Sequence, residues 1–231
     1  MNLQQQSDNQ LKIEDLRVFR SELPLFEPVN FTLNAGDAIQ ISGVNGSGKT
    51  SLLRCLCGLS HRHEGNISWN ERSIEKDQAD FYSQLLYIGH ALGLKPKLTV
   101  EQNLNFYRQL RFSENSELIQ TALNQLNIGA YYDELVGNLS AGQKRRVALA
   151  RIVCEPVGLW ILDEPMVALD IDGQSWLEQT CNAHLSRGGM IILTSHQTIS
   201  AINGLVEYRL KKASLSADYM TSENSASESS V

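Results

Sequence analysis

The sequence predicts an α/β protein built on a mainly parallel sheet, and three apolar stretches carry that prediction. The first is Ala38–Ser42, which leads through a glycine turn into a helical segment. The other two are residues 158–162 and 189–194, with a helical segment at residues 172–186 between them. Two strands joined by a helix form a βαβ unit, whose strands run parallel and are buried on both faces.

Alternating or continuous apolar residues predict four further strands, at residues 11–19, 29–33, 66–69 and 85–88. From about residue 89 to residue 156 the hydrophobic period becomes helical. Thr99 and Ser140 are the predicted N-caps of two helices in that region, because each precedes a helical segment and has a hydroxyl that can accept from the backbone.

Length and charge set the limits of the protein class. The chain has 231 residues and a net charge of −6, so we expect one domain with a full core and no nucleic-acid binding. No apolar run approaches the ~20 residues that cross a bilayer, and the N-terminal residues show no secretory pattern. We therefore expect a protein that is cytosolic or held at a membrane by a partner. Residues 213–231 are rich in Ser and Glu and are predicted to be disordered.

The glycine turn is the stretch from residue 43 to residue 50, which reads GVNGSGKT and has the form of the phosphate-binding P-loop. Its glycines allow a backbone that brings successive N–H groups onto one concave face. Lys49 adds a positive charge for the β- and γ-phosphates, and the Thr50 hydroxyl can ligate Mg²⁺. The predicted nucleotide-binding residues are Gly43, Val44, Asn45, Gly46, Ser47, Gly48, Lys49, Thr50 and Ser51.

Two acids follow the second apolar run, where the sequence reads WILDE. In a P-loop ATPase such a strand brings the first carboxylate to the Mg²⁺ site and the second toward the γ-phosphate. Asp163 is therefore the predicted metal-side acid, and Glu164 is the predicted base for the attacking water. The alternative interpretation is that the two acids only lie on the surface at a strand end. The P-loop upstream in the sequence favours the catalytic interpretation.

Further motifs resemble those of the ABC ATPases. LSAGQ at residues 139–143 is similar to the signature LSGGQ, VALD at residues 167–170 resembles the D-loop, and His196 resembles the switch histidine. The order and spacing fit from about residue 11 to residue 212. The resemblance implies a RecA-like, mainly parallel sheet core with an N-terminal antiparallel β part. It also implies that residues 1–212 form one ATP-binding domain, with an inserted helical subdomain at about residues 90–156.

The resemblance also implies a mechanism that uses ATP and Mg²⁺. Two subunits dimerise head to tail, and each ATP lies between the P-loop of one and the signature of the other. His196 would bind the γ-phosphate and orient Glu164, and Asp170 would bridge the subunits. The signature residues expected to act in trans are Ser140, Ala141, Gly142 and Gln143.

The sequence departs from the ABC pattern at a few positions. Ala141 replaces a glycine of the signature, which is a small change. His90 stands where the family usually has a glutamine that lies at the metal site. His90 is therefore either a further candidate metal ligand or only a residue at a strand end. Phe19 is the candidate for stacking on adenine, with Arg20 as its competitor.

Three stretches look very like the ATP-binding subunit of the cytochrome c maturation system: NGSGKTSLLRCLCGL, IGHALGLKPKLTVEQNL and LSAGQKRRVALAR. In that family the subunit pairs with integral membrane permease subunits. The resemblance implies a peripheral position on the cytoplasmic face of the inner membrane. It also implies that ATP hydrolysis drives either haem export or release of a haem-loaded periplasmic chaperone. We expect no direct haem binding by this chain.

Three other functions stay open on the sequence. One is the ATPase of another small-molecule ABC exporter, and the second is a soluble ABC ATPase of iron–sulfur assembly. The third is a non-catalytic module that uses ATP only to dimerise. The presence of Lys49, Asp163, Glu164 and His196 argues against that third function.

Overall fold

The structure is a computed structural model that describes residues 9–76, 78–113, 115–196 and 199–213. Within those ranges the chain forms two β-sheets and six α-helices. The strands are β1 (Gln10–Arg20), β2 (Leu23–Pro24), β3 (Val29–Asn34), β4 (Ala38–Ser42), β5 (His63–Trp69), β6 (Arg72–Ser73), β7 (Leu85–Ile88), β8 (Leu159–Leu162), β9 (Met190–Thr194) and β10 (Leu205–Arg209). The helices are α1 (Lys49–Leu56), α2 (Gln78–Gln84), α3 (Val100–Gln109), α4 (Ser116–Gln125), α5 (Ala141–Cys154) and α6 (Ile171–Leu185).

A parallel five-stranded sheet in the order β10-β4-β9-β8-β7 forms the centre of the protein. Every residue of β8 and β9 is buried, as expected for strands that are covered on both faces. Because neighbouring strands run parallel, the carboxyl ends of β4, β9 and β8 meet at one edge of the sheet. Ligand sites of open α/β sheets form at that edge.

A second, antiparallel sheet packs on the N-terminal side, where β1 pairs with both β3 and β5. The register of β1 shifts after Ile13, and Asp15 has a positive φ of 48° there. Asn30 Oδ1 accepts from the Asp15 N–H at 2.8 Å and so holds this irregular turn of the strand. Buried residues such as Ile13 and Ile67 belong to the same hydrophobic core as Leu52 of α1. This core also contains residues of the parallel sheet and so joins the two sheets.

Helices α3, α4 and α5 pack together on the other side of the parallel sheet. Ile119 of α4 and Val147 of α5 are fully buried in that core. The predicted N-cap of α3 is confirmed, because the Gln102 N–H donates to Thr99 Oγ1 at 3.1 Å and Gln102 Oε1 accepts from the Thr99 N–H at 3.0 Å. This reciprocal pair satisfies two donors that the first turn of a helix otherwise leaves open.

The predicted strands of the parallel sheet are confirmed, and the differences lie in weaker segments. Strand β5 begins at His63 and not at residue 66, and α2, β2, β6 and β10 were not predicted. Strand β10 reads LVEYR and lies at an edge of the sheet, so it lacks a continuous apolar run. The predicted disordered tail lies, after Ala213, outside the described residues. Among the helices of the described ranges, none has both the length and the apolar character to span a bilayer.

Candidate active site

The P-loop connects β4 to α1 at the carboxyl edge of the parallel sheet. Gly46 and Gly48 have φ values of 78° and 96°, in the left-handed region that glycine adopts readily. At Gly48 an added Cβ would meet the ring of Phe26 at 3.0 Å, so the loop has no room for a side chain there. The loop closes with a turn in which the Ser47 N–H donates to Val44 O at 3.0 Å.

Lys49 is the first residue of α1, and its side chain curls back over the loop. Its Nζ donates to Gly43 O at 2.9 Å and to Val44 O at 3.4 Å, and the residue is buried. The Ser47 hydroxyl is also buried and has no hydrogen-bond partner among the described residues. A phosphate in the loop would offer acceptor oxygens to both groups.

The two acids follow β8, and the first of them meets the P-loop helix. The Thr50 Oγ1 donates to Asp163 Oδ2 at 2.9 Å, and Asp163 is 2% exposed. A hydroxyl and a carboxylate are hard oxygen ligands of the type that Mg²⁺ prefers. The chemistry of this donor pair therefore fits Mg²⁺.

The second acid lies at the mouth of the site beside the histidine. Glu164 Oε1 and His196 Nε2 are 2.8 Å apart, which is hydrogen-bond distance. The Glu164 backbone has a φ of 51°, an uncommon conformation for a residue with a side chain. The Glu164 side chain is 23% exposed and that of His196 is 48% exposed, so both face open space.

A cleft of about 650 Å³ gathers most of the predicted residues. Its lining comprises Phe19, Arg20, Leu25, Asn45, Gly46, Gly48, Lys49, Thr50, Ser51, Arg62, His90, Glu164 and His196. Gly43, Val44 and Ser47 belong to the same loop but not to the lining, and Asp163 lies beneath it. Phe19 and Arg20, the two candidates for stacking on adenine, both line the cleft, and so does His90.

A larger hollow of about 740 Å³ lies between α5 and α6, where Trp160 and Trp176 line it. It contains none of the residues predicted to bind nucleotide or catalyse. We locate the active site by its chemistry, because the smaller cleft holds the P-loop, one of the acids and the histidine together.

The signature residues lie outside the cleft, at the exposed start of α5. The Ser140 Oγ accepts from the Gln143 N–H at 3.3 Å, and Gln143 Oε1 accepts from the Ser140 N–H at 2.8 Å. The predicted cap at Ser140 is thereby confirmed. Ala141 and Gly142 form the first turn, whose N–H groups have no partner within the helix. Within one chain the signature is therefore separate from the P-loop cleft.

Asp170 ends the D-loop and caps α6, where its Oδ1 accepts from the Gly173 N–H at 2.9 Å. Its other carboxylate oxygen accepts from Arg146 Nη2, and Arg146 Nη1 also donates to Leu126 O at 2.7 Å. The Gly173 N–H and then Arg146 lower the pKa of Asp170. The carboxylate expected to bridge two subunits is thus already held by its own chain.

Sequence reasoning missed three polar residues of this region. Thr194 is fully buried at the end of β9 and contacts both acids. The sequence feature that could have identified it is a hydroxyl residue at the end of an apolar run. Arg145 is buried on α5 with an Nη1 that has no partner among the described residues, and burial lowers its pKa while Asp163 and Glu164 oppose that shift. Arg62 lines the cleft from a loop that carried no pattern.

Fold and site together define an ATP-binding cassette. The model of the ABC transporter family matches residues 26–167. A solved ABC transporter ATP-binding protein from Pyrococcus furiosus is 26% identical, with a TM-score of 0.77 over 88% of this chain and 100% of that chain. The dimeric structure of a bacterial ABC transporter cassette has a TM-score of 0.76 at 17% identity, covering 86% and 94% of the two chains, and shows the fold alone.

Curated relatives narrow the class. The cytochrome c biogenesis ATP-binding export protein CcmA of Aliivibrio fischeri is 43% identical over 189 residues, which span 82% of this chain and 93% of the relative. The protein of the same name from Vibrio vulnificus is 45% identical over 188 residues, spanning 81% and 92%. The chain belongs to the ABC transporter family and, within it, to the group of cytochrome c biogenesis ATP-binding export proteins. It is therefore a nucleotide-binding ATPase, as predicted, and the expected ABC fold is confirmed.

Proposed function

We propose that this chain is the ATP-hydrolysing subunit of an ABC complex for c-type cytochrome biogenesis. ATP hydrolysis would be coupled to haem export or to release of a haem-loaded periplasmic chaperone. The observation that carries this proposal is the identity of more than 40% with cytochrome c biogenesis export proteins across most of both chains. The same observation favours it over another small-molecule exporter and over a soluble iron–sulfur assembly ATPase.

The site residues have distinct proposed roles in hydrolysis. The P-loop N–H groups and Lys49 bind the phosphates, and Phe19 stacks on adenine. Thr50 and Asp163 would hold Mg²⁺, and His90, which lines the same cleft as Thr50, is a further candidate. A Mg²⁺ ion held there would supply positive charge that stabilises the phosphate chain.

The proton chemistry is assigned to the Glu164 and His196 pair. Glu164 orients the attacking water and accepts its proton, because it lines the cleft that holds the P-loop. The 2.8 Å contact lets His196 fix the Glu164 carboxylate while its ring approaches the γ-phosphate. Removing the negative charge of Glu164 would therefore stop the chemical step while leaving the phosphate-binding loop intact.

The active form is proposed to be a head-to-tail dimer that closes on two ATPs. Ser140, Ala141, Gly142 and Gln143 would meet the γ-phosphate bound by the other subunit. The separation of the signature from the cleft within one chain supports this, since a single subunit brings only half of the site together. Exposed N–H groups and the positive end of α5 suit an anionic group.

The proposed assembly attaches to integral membrane permease subunits on the cytoplasmic face of the inner membrane. Residues 1–212 would form the ATP-binding domain, and the helical subdomain at about residues 90–156 would meet the permease. Within it, Tyr107 Oη donates to Gly93 O at 2.6 Å and so ties α3 to the segment that follows His90. No nucleic-acid contact and no direct haem binding are proposed for this chain.

A genetic experiment tests this function. The gene is deleted in its host, covalently bound haem is stained in cell proteins, and the wild type or Glu164→Gln is then restored. We expect loss of c-type cytochromes in the deletion and rescue by the wild type alone. Normal cytochromes in a deletion strain that has no second copy of the gene would contradict the proposal. The ATPase of another small-molecule exporter would then be the favoured function.

A further inference from the structure

A single buried hydroxyl connects the two acids of the site. Thr194 ends β9 and is 0% exposed. Its Oγ1 donates to Asp163 Oδ1 at 2.7 Å and accepts from the Glu164 N–H at 2.8 Å. The hydroxyl therefore donates its proton to one acid and accepts from the backbone N–H of the next, and valine, which has nearly the same shape, can do neither.

The two contacts act on different properties of the acids. The first fixes the rotamer of Asp163, whose other oxygen accepts from Thr50 Oγ1 at 2.9 Å. The second holds the Glu164 backbone at a φ of 51°, a conformation that is unfavourable for a residue with a side chain. At that φ the Glu164 carboxylate lies 2.8 Å from His196 Nε2.

We propose that Thr194 is a positioning residue of the ATPase, which sets the Asp163 carboxylate for the metal and the Glu164 carboxylate for the water through one hydroxyl. The inference rests on the proposed roles of Asp163 and Glu164 and deepens them. Sheet order makes it possible, because β9 lies between β4 and β8 and so brings residue 194 between the P-loop and the acids.

The test uses three variants of the full-length chain. Thr194→Val removes the hydroxyl at nearly constant volume, and Thr194→Ser keeps the hydroxyl while it removes a methyl group. Thr180→Val is the matched control, since the Thr180 Oγ1 donates only to Trp176 O within α6, at 2.7 Å. Each variant is measured for thermal stability, for ATP affinity without divalent metal, for ATP turnover, and for Mn²⁺ affinity with ADP by electron paramagnetic resonance.

We expect Thr194→Val to lower kcat about tenfold, the size expected for losing a hydrogen bond to a charged group. Mn²⁺ affinity should fall at least about threefold, while metal-free ATP affinity stays within about twofold because the P-loop is unchanged. Thr194→Ser should restore both values, and Thr180→Val should match the wild type. The Mn²⁺ measurement needs no turnover, so it tests the effect of Thr194 on the metal site even if the chain alone hydrolyses ATP slowly.

Two results would overturn the inference. One is wild-type turnover and Mn²⁺ affinity in Thr194→Val. The other is a parallel fall of ATP affinity and melting temperature that Thr194→Ser does not restore, which would make the residue a packing element. Glu164→Gln measured in parallel separates the inference from the proposed function. If Glu164→Gln abolishes turnover and Thr194→Val does not change it, only the role of Thr194 is wrong.

Discussion

The Nε2 atom of His196 lies 2.8 Å from the Oε1 atom of Glu164, although 32 positions separate the two residues in the chain numbering. The contact forms because β8 and β9 are neighbours in the parallel sheet and the chain leaves both at the same edge. It joins a carboxylate and an imidazole at the mouth of the cleft that holds the P-loop.

Replacing Glu164 by Gln should lower kcat by at least about 100-fold, because a general base typically contributes 10² to 10⁴ in rate. ATP should still bind, and the variant should accumulate as an ATP-bound dimer in size-exclusion chromatography. Glu207→Gln makes the same change on the exposed edge strand β10 and is the control. Turnover at the wild-type rate in Glu164→Gln would remove the base assignment.

Replacing Lys49 by Ala should weaken ATP affinity about 30-fold, which corresponds to ~2 kcal/mol for a hydrogen bond from a charged group. The ammonium lies at the loop, held by Gly43 O and Val44 O, where phosphate oxygens would take over as acceptors. Fluorescent-nucleotide titration measures the effect. Lys12→Ala removes an exposed lysine from β1 and should leave the affinity unchanged, so equal losses in both variants would refute the assignment.

Replacing Ser140 by Arg should abolish turnover while ATP still binds to the P-loop. The added bulk and charge would block the start of α5, which lies outside the cleft of its own chain. Ser140→Ala is the control, since it removes the cap, at a cost of about 1 kcal/mol, without adding bulk. A loss of nucleotide binding in Ser140→Arg, measured by the same titration, would speak against action in trans.

His184 makes folding stability sensitive to acid. Its ring stacks on Trp160 at 3.6 Å, and burial lowers its pKa from 6.5 to about 4. Between those values the unfolded chain binds a proton that the folded chain does not, so the free energy of unfolding falls by up to about 1.4 kcal/mol per pH unit as the pH drops. Well above pH 6.5 neither the folded nor the unfolded chain binds this proton, so the histidine contributes no pH dependence there.

Urea unfolding at pH 7 and pH 4.5 measures that sensitivity. His184→Phe keeps a ring on Trp160 and removes the titrating group, so its stability should fall less on acidification than that of the wild type. His61→Phe, at an exposed position, is the control that removes a histidine elsewhere. Equal acid sensitivity of the wild type and His184→Phe would show that the buried ring does not cause the loss.

The motifs proposed to bind nucleotide could be recognised in the sequence because each is local. The P-loop needs only neighbouring glycines and Lys49, and the acids follow directly from an apolar strand, so pattern and chemistry coincide. The caps at Thr99 and Ser140 were predictable for the same reason, since a cap involves residues three apart.

The contacts between distant elements were not predictable. The Thr194 hydroxyl reaches Asp163 across 31 positions, and that contact depends on the order of β4, β9 and β8 in the sheet. The Arg146 contact with Asp170 depends on how α5 lies against the D-loop. Strand β10 was missed because an edge strand buries one face only and shows a mixed pattern.

The left-handed backbone of Glu164 has an evolutionary consequence. A glycine at this position would adopt a φ of 51° without steric penalty, and for an asparagine the penalty would be smaller than for glutamate. Random mutation followed by selection for heat resistance alone would therefore tend to discard the carboxylate. Glutamate at this position lowers fold stability, so we expect it to be retained only under selection for its proposed role in ATP turnover.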